Sequence, residues 1–437
     1  MTQPASPVPG RLLAAVAAVC LAVQLISATF IVRDPESPNA ATRIARTLEA
    51  GGGYAIALPA DHRDRGAVGL QPRRAHQLPA EPLLLAMAFR LLPAWLEPYL
   101  HVPITVAFVV AIAVAGWAAG GPRVGLVAGL VASLDPFVAV HGPVWDDMFL
   151  AAALEWTLFA GMALHFRRQA AETALRSNRS GARATVSLMA VGSIAALAAL
   201  TRTQSQVLLV VVGLAAVLLP WTRPVRGMGL AIVLGVMLAV SGWGARNYAV
   251  LGHPLIGTTH DGKTLFESTY ATARGTILEH GVAQNYDWAS APPSLSGVEA
   301  IDELEADRRF ARAAWQYIRT HPVDVAVTGV FKIAISLSGL DLGRPVISPR
   351  NMAAIVANTL LLGIGGWGLW EWRRRRSNEV TWIVTLAAIA GIVTLAFLAM
   401  GPVGLRYRIG LAGFLCIGVA AWWTRRDAEA RPAASVR

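Results

Sequence analysis

Long apolar runs, separated by short polar and charged stretches, dominate the pattern along the chain. A run of about 18 or more apolar residues is typical of a helix that crosses a bilayer. The chain has about ten such runs. They cover residues 12–32, 103–119, 124–141, 148–166, two helices of a hairpin within 185–221, a run that ends at 246, 352–372, 380–400 and 409–423. The pattern therefore predicts an all-α polytopic membrane protein, and the length of the first run predicts a retained helix rather than a signal peptide.

Arginines at the ends of these runs predict their orientation. The Arg-rich loop at 167–183, the run Arg373–Arg376 and the tail at 424–426 mark cytoplasmic segments, because short cytoplasmic loops carry an excess of cationic residues. Both termini are then cytoplasmic, and the membrane is a cytoplasmic (inner) membrane. The net charge of +11 comes almost entirely from arginine, since Lys263 and Lys332 are the only lysines. Nucleic-acid binding is disfavoured, because no basic patch with interleaved aromatic residues accompanies this charge.

Two polar regions interrupt the apolar pattern on the external side. A long first external loop covers residues 33–100, with a short helix at 40–49 that ends at Gly51–Gly53 and an apolar helix at 82–92 on the outer face. A smaller external segment ends near residue 350 and contains a charged helix at 298–320. The apolar stretch 323–340 is expected to be re-entrant or peripheral, since a full span would reverse the orientation of the later loops.

This pattern divides the chain into three parts. Residues 1–244 form an N-terminal transmembrane module that includes the first external loop, 245–350 form the external segment, and 351–437 form the C-terminal helices and cytoplasmic tail. Cys20 and Cys416 both lie in apolar runs, so neither a disulfide framework nor a thiolate metal site is expected. The histidines lack metal-ligand spacing. The absence of a Gly-rich phosphate loop with its Lys disfavours an ATP-driven machine.

With this topology, acidic and basic residues collect at external helix ends. The acids are Asp34, Glu36, Asp146 and Asp147, and the arginines are Arg202, Arg246, Arg406 and Arg408. Arginines bind a phosphate with forked, charge-assisted hydrogen bonds, and a carboxylate can take a proton from an acceptor hydroxyl or amine. Simpler interpretations stay open: Arg202 extending to the interface, Asp34 as a solvated loop acid, and only one of the adjacent Asp146 and Asp147 facing a site.

Short motifs in a fixed order along most of the chain resemble the GT-C superfamily of membrane glycosyltransferases. The closest branches are the bacterial protein O-mannosyltransferase and lipid A aminoarabinose transferase relatives. Three motifs lie in the first part of the chain: the Ala-Arg helix with its Gly-Gly-Tyr end at 45–54, Pro79–Leu83 with Ala80-Glu81 in place of the usual Gly-Tyr, and Asp135-Pro136-Phe137 ahead of the acidic pair. Four more follow: Leu200-Thr201-Arg202, Trp243–Gly252 with Arg246-Asn247-Tyr248, Tyr317–Pro322 and Arg406-Tyr407-Arg408.

The resemblance implies a GT-C-like fold and an inverting transfer of a sugar from a polyprenyl-phosphate donor. The acceptor would be an envelope glycan, lipid or protein on the external or periplasmic face. The first-loop acid would be the general base, with Asp34 favoured and Glu36 competing.

Further roles follow from the same resemblance. Asp146 or Asp147 would orient the acceptor or a divalent cation, where one is used; no other cofactor is expected. Arg202, Arg246, Arg406 and Arg408 would bind the donor phosphate, and the expected contacts to donor or acceptor are Asn247, Tyr407 and Lys263. The competing hypotheses are a transporter or flippase of lipid-linked sugars, which should carry polar residues in broken helices near mid-membrane, and a non-catalytic membrane protein of envelope assembly.

Overall fold

The computed structural model describes residues 10–30, 40–56, 73–144, 147–175, 181–219, 223–270, 292–295, 298, 301–340, 348–375, 381–401 and 408–430. In chain order these form α1 (Gly10–Phe30), α2 (Ala40–Glu49), α3 (Ala80–Leu91), α4 (Val102–Gly120), α5 (Pro122–Leu134), α6 (Pro136–His141), α7 (Asp147–Leu175), α8 (Gly181–Ala199), α9 (Thr203–Leu218), α10 (Arg223–Leu251), α11 (Asp261–Thr269), α12 (Glu303–Thr320), α13 (Pro322–Ser338), α14 (Pro349–Arg375), α15 (Thr381–Met400) and α16 (Ile409–Ala430). The described residues contain no β-strand; an isolated antiparallel bridge joins Ile56 and Arg73. The predicted all-α class is confirmed.

Six of the described helices are long and apolar enough to cross a membrane. They are Gly10–Phe30, Ala94–Gly120, Asp147–Arg167, Val225–Leu251, Asn351–Arg374 and Trp382–Met400. Four shorter apolar helices are Pro122–Leu134, Thr185–Ala199, Thr203–Leu218 and Ile409–Arg425. Together these helices fall on the apolar runs that the sequence pattern predicts. The polytopic membrane architecture is therefore supported, while the count of ten spans and the three-part division of the chain stay predictions.

Glycines allow several of these helices to approach closely. A Cβ placed on Gly368 in α14 would overlap the carbonyl oxygen of Gly418 in α16, and one placed on Gly235 in α10 would overlap the carbonyl oxygen of Gly192 in α8. Small residues at such crossings are typical of membrane helices, which associate by close van der Waals packing rather than by exclusion from water.

The prediction of one helix at 124–141 is wrong in one respect. The chain leaves the helical conformation at Asp135, so that two helices, α5 and α6, replace the single one. Pro136 has no N–H to donate and disfavours a helical backbone at the preceding residue. The backbone of Asp135 is accordingly non-helical, and its carboxylate accepts from the N–H groups of Phe137 at 2.7 Å and Val138 at 3.3 Å. Asp135 thereby caps α6, and α5 ends one residue before it.

The loop at 33–100, which is predicted to be external and keeps the name first external loop, contains the expected helix pair. The helix predicted at 40–49 is confirmed as α2, and the structure has α3 at Ala80–Leu91 where an apolar helix was predicted at 82–92. α2 packs against α3 through Ala41, Ala45 and Phe89. After α2, Gly51 and Gly53 both have positive φ, 81° and 79°, a conformation that glycine adopts without steric cost.

The later external segment packs around α11 and α12. Phe266 of α11 meets Phe310 and Ala314 of α12 in a small core of its own. The charged helix predicted at 298–320 begins later, at Glu303, because the carboxylate of Asp302 caps it by accepting from the N–H of Leu304 at 2.9 Å. α13 occupies the stretch expected to be re-entrant or peripheral, and its relation to the bilayer stays a prediction.

Candidate active site

The centre of the candidate site is an ion pair between Asp147 and Arg202. Asp147 is the first residue of α7, and its carboxylate accepts from the guanidinium of Arg202 at the α8–α9 junction. The amide of Gln77, from the first external loop, lies 3.4 Å from the second carboxylate oxygen of Asp147. The two ionic side chains are 18% and 15% exposed, so the pair is mostly covered but partly open to solvent. The contact holds Arg202 against the start of α7, and its role in a site stays a prediction.

The chain around Arg202 is held in place by other elements. Arg202 has an extended backbone between α8 and α9. The carbonyl oxygen of Leu200 accepts from the N–H of Ala80 at 3.0 Å, which ties the tip of this hairpin to the first external loop. The amide of Gln206 donates to the carbonyl oxygen of Ile256 at 3.4 Å. The position of Arg202 is therefore set by three separate parts of the chain.

Arg246 and Asn247, near the end of α10, bind backbone from two different segments: Arg246 from the loop that carries Gln77, and Asn247 from the turn after α10. Arg246 donates to the carbonyl oxygens of Arg74 at 2.7 Å and Tyr54 at 3.3 Å, and to the side chain of Asn247 at 2.8 Å. Asn247 in turn donates to the carbonyl oxygen of Leu255 at 2.7 Å and is fully buried. The three hydrogen bonds from Arg246 use three of the five N–H donors of its guanidinium. In this structure Arg246 organises the loop that carries Gln77, and Asn247 organises the turn that follows α10.

Tyr54 connects Arg246 to the Asp147 carboxylate. Its hydroxyl donates to the carbonyl oxygen of Gln77 at 2.8 Å, and its ring packs edge-on against Trp243 with centroids 5.6 Å apart. Burial raises the pKa of the Tyr54 hydroxyl, so it stays protonated and keeps donating. A continuous set of contacts therefore joins the end of α10 to the start of α7.

Glu303 fastens the external segment to the same loop. Its carboxylate accepts from the N–H of Arg74 at 2.8 Å, from the hydroxyl of Thr259 at 2.8 Å and from the N–H of Ala75 at 3.4 Å. Sequence reasoning missed Glu303 and Gln77, because both lie in polar stretches where nothing distinguishes them from solvated loop residues.

Arg408 lies in a second, buried cluster. Its guanidinium contacts the side-chain oxygen of Asn358 and lies 3.9 Å from the carboxylate of Asp135. The side chains of Arg408 and Asp135 are only 7% and 5% exposed. The guanidinium carbon is 5.3 Å from the centre of the Phe137 ring. Arg408 thus fastens the start of α16 to α14 and to the α5–α6 break.

Glu155 lies between the two ionic clusters and was also missed. It is buried in α7 and accepts from the hydroxyl of Ser205 at 2.7 Å. Its other oxygen lies 3.6 Å from the position that a Cβ on Gly410 would occupy, two residues after Arg408. An acid inside an apolar run is costly and usually functional, which is the signal that could have identified it.

Lys263 is enclosed within the external segment. It is 3% exposed, and its ammonium lies 3.7 Å from the carboxylate of Glu267 one turn along α11. Its predicted contact with donor or acceptor stays a prediction. The remaining predicted site residues lie outside the described part of the chain: Asp34, Glu36, Asp146, Arg406 and Tyr407. Among the residues that the structure describes, no group of three or more His, Cys, Asp or Glu could hold a metal ion.

The fold of this chain is similar to that of solved archaeal oligosaccharyltransferase structures. A solved structure with this fold is the archaeal oligosaccharyltransferase AglB from Archaeoglobus fulgidus, in complex with an inhibitory peptide and a dolichol-phosphate. The similarity has a TM-score of 0.53 at 10% sequence identity and covers 98% of this chain and 52% of that one.

Two further structures of the Archaeoglobus fulgidus oligosaccharyltransferase are similar to the same extent. One is in complex with Zn and sulfate (TM-score 0.51, 12% identity, 96% of this chain and 49% of that chain). The other is tethered to an acceptor peptide containing the NVT sequon (TM-score 0.53, 12% identity, 96% and 49%). This chain spans about half the length of these proteins. Neither a protein-family model nor a curated protein sequence matches it.

Proposed function

We propose that this protein is an inverting glycosyltransferase that moves a sugar from a polyprenyl-phosphate-linked donor to an envelope glycan, lipid or protein acceptor on the outer face of the membrane. The observation that carries the proposal is the partly exposed Asp147–Arg202 pair at the junction of α7, the α8–α9 hairpin and the first external loop. The GT-C-like fold supports it, since the similar structures are oligosaccharyltransferases, one of them with a dolichol-phosphate.

Arg202 binds the donor phosphate in this proposal. A guanidinium presents five N–H donors in a planar fork, and the hydrogen bond to Asp147 is made through one terminal nitrogen. A planar fork suits the oxygens of a phosphate as it suits those of a carboxylate. Arg246, Arg406 and Arg408 are further proposed phosphate ligands. For Arg408 the burial beside Asp135 favours a role in holding the start of α16.

The proposed reaction is a single displacement at the anomeric carbon. Asp34, or Glu36 in its place, takes the proton from the acceptor hydroxyl or amine as that group attacks. The bond between the anomeric carbon and the phosphate oxygen breaks on the opposite face, and polyprenyl phosphate leaves with the electron pair. Fixed donors at Arg202 stabilise the charge that develops on the leaving oxygen, which is usually the largest catalytic contribution. Asp146 or Asp147 orients the acceptor or a divalent cation.

The proposal is tested by lipid mass spectrometry on a deletion strain. The strain is complemented with the wild-type gene, with Asp34→Asn, with Glu36→Gln or with Asp146→Asn, each checked for normal expression. The null strain and the variant that lacks the base should accumulate the same polyprenyl-phosphate sugar and lack the same glycan. A wild-type lipid and glycan profile in all three variants would remove the carboxylate mechanism and favour a transporter or a scaffold.

A further inference from the structure

α12 has two chemically different faces. One face packs Phe310 and Ala314 against α11. The opposite face is exposed and carries Arg308, Arg312 and Arg319, at helical spacings of about one and two turns. The apolar face of α12 is covered by α11, so its exposed face is a polar surface and not a part of the hydrophobic core that lacks its partner.

A groove of about 740 Å³ runs along this exposed face. It is lined by Glu305, Arg308, Ala311, Arg312, Trp315, Gln316, Arg319 and Thr320. The single carboxylate, Glu305, lies 2.7 Å from Arg312 and 3.3 Å from Arg309, so it offsets only part of the positive charge. Trp315 is 50% exposed beside the arginines. Arginine and tryptophan together are the residues that accumulate where a membrane protein meets lipid headgroups.

An apolar stripe on α13 begins at Val323, four residues after Arg319. Val323, Val327 and Val330 are spaced by four and three residues, so they share one side of the helix. They are 74%, 49% and 68% exposed. A contiguous exposed apolar stripe on a structured helix marks contact with lipid or a partner.

The junction between the two helices is stiff. The hydroxyl of Tyr317 in α12 donates to the carboxylate of Asp324 in α13 at 2.6 Å. The Tyr317 ring stacks on His321 with centroids 4.4 Å apart and planes 13° apart, and it also meets Tyr270 at 4.8 Å. The basic face and the apolar stripe are therefore held in a fixed relation.

We propose that the α12–α13 corner binds an anionic phospholipid of the surrounding bilayer, with its headgroup in the groove that Arg308, Arg312 and Arg319 line and its acyl chains along Val323, Val327 and Val330. Charge complementarity selects an anionic headgroup, since cationic residues next to a membrane surface attract acidic lipids. The adjoining apolar stripe selects a lipid over a soluble anion. This site is separate from the proposed transfer reaction and does not depend on it.

The test uses the full-length protein in nanodiscs doped with a photoactivatable phosphatidylglycerol, and peptides that carry the cross-linked lipid are mapped by mass spectrometry. Wild type should cross-link between Trp315 and Val330. The triple variant Arg308→Gln/Arg312→Gln/Arg319→Gln should lose this signal, with an expected fall in affinity of about fivefold per arginine. Arg308→Lys/Arg312→Lys/Arg319→Lys should keep it, because the charge is preserved.

Cross-links at the Arg373–Arg376 run serve as an internal control and should not change. An equal signal from photoactivatable phosphatidylcholine, or an unchanged signal at α12–α13 in the glutamine variant, would overturn the proposal. Thermal unfolding in phosphatidylcholine nanodiscs checks that the exposed substitutions leave the fold intact.

Discussion

The two arginine–aspartate contacts differ in how far they are open to solvent. Asp147 and Arg202 are 18% and 15% exposed, and Gln77 is the neighbour that approaches the carboxylate from the loop. Asp135 and Arg408 are 5% and 7% exposed, and each makes further contacts, to the N–H groups of α6 and to Asn358. We propose that a phosphate binds at the first contact, whereas the second joins three helices. We therefore expect substitutions in the Asp147–Arg202 contact to lower the rate of sugar transfer, and substitutions in the Asp135–Arg408 contact to lower the stability of the fold.

The largest expected effect is on stability, from Asp135→Ala. This change removes the α6 cap and leaves the Arg408 guanidinium buried without its carboxylate. Breaking a buried pair from one side costs about 3–5 kcal/mol, so the melting temperature in detergent and the yield of folded protein should fall sharply. Asp135→Asn keeps a capping oxygen and should lie between the alanine variant and wild type. A melting temperature for Asp135→Ala equal to that of wild type would refute the structural role.

Next in size is the effect of Arg202→Gln on sugar transfer. Removing one fixed donor from a developing oxyanion typically lowers the rate by about 10²–10³, and a similar loss is expected here with little change in melting temperature. Arg202→Lys keeps the positive charge but loses the forked guanidinium, so its transfer rate should lie between those of Arg202→Gln and wild type. Arg90→Gln is a matched control, since Arg90 donates to the carbonyl oxygen of Leu48, away from the pair. Equal rates for Arg202→Gln and Arg90→Gln would remove Arg202 from the site.

A smaller effect concerns the pH dependence of the external segment. Burial, with the nearby Asp261 charge, raises the pKa of Asp307 from 3.8 to about 6, against hydrogen bonds from the N–H groups of Lys263 and Gly262 that lower it. The folded state thus holds this proton more tightly than the unfolded chain. Its contribution to stability is present below about pH 4 and is lost as the pH rises from 4 to about 6, up to about 3 kcal/mol.

Asp307→Asn should therefore weaken the pH dependence across that window. Melting temperatures between pH 4 and 7 measure it, and a residual slope is expected because burial also raises the pKa of Asp261. Identical pH profiles for the variant and wild type would contradict the assignment.

The smallest effect is expected for Gln77→Ala. The amide of Gln77 makes one long hydrogen bond, 3.4 Å, to the carboxylate of Asp147. Its loss is worth about 1 kcal/mol, or about fivefold in the transfer rate. Gln77→Glu should be more harmful, because it puts a second negative charge beside Asp147. A larger loss for alanine than for glutamate would mean that the amide acts elsewhere.

The sequence predicted the membrane helices better than the contacts between them. Apolar length and arginine placement led to the observed helices, and α2 has the predicted bounds. The break at Asp135 was missed because the apolar pattern continues across Pro136, although proline chemistry alone indicated it. The Asp147–Arg202 contact joins residues 55 positions apart. A sequence pattern can put both at helix ends, but only packing decides that they touch.

The same reasoning explains which site residues went unrecognised. Glu155 sits within an apolar run and could have been singled out as a costly intramembrane acid. Glu303 and Gln77 carry no such signal, since their role comes from the loop backbone and the carboxylate that they bind. The predicted roles of Asp34, Glu36, Asp146, Arg406 and Tyr407 stay predictions.

The most direct measurement of the central claim is covalent transfer by purified protein in detergent, where no bilayer separates two compartments. The protein is incubated with the polyprenyl-phosphate sugar that accumulates in the deletion strain and with acceptor from the same cells. We expect free polyprenyl phosphate and glycosylated acceptor with wild type, and neither with Arg202→Gln. A donor recovered intact, from wild-type protein that still restores the glycan in cells, would contradict the transferase account and support a transporter.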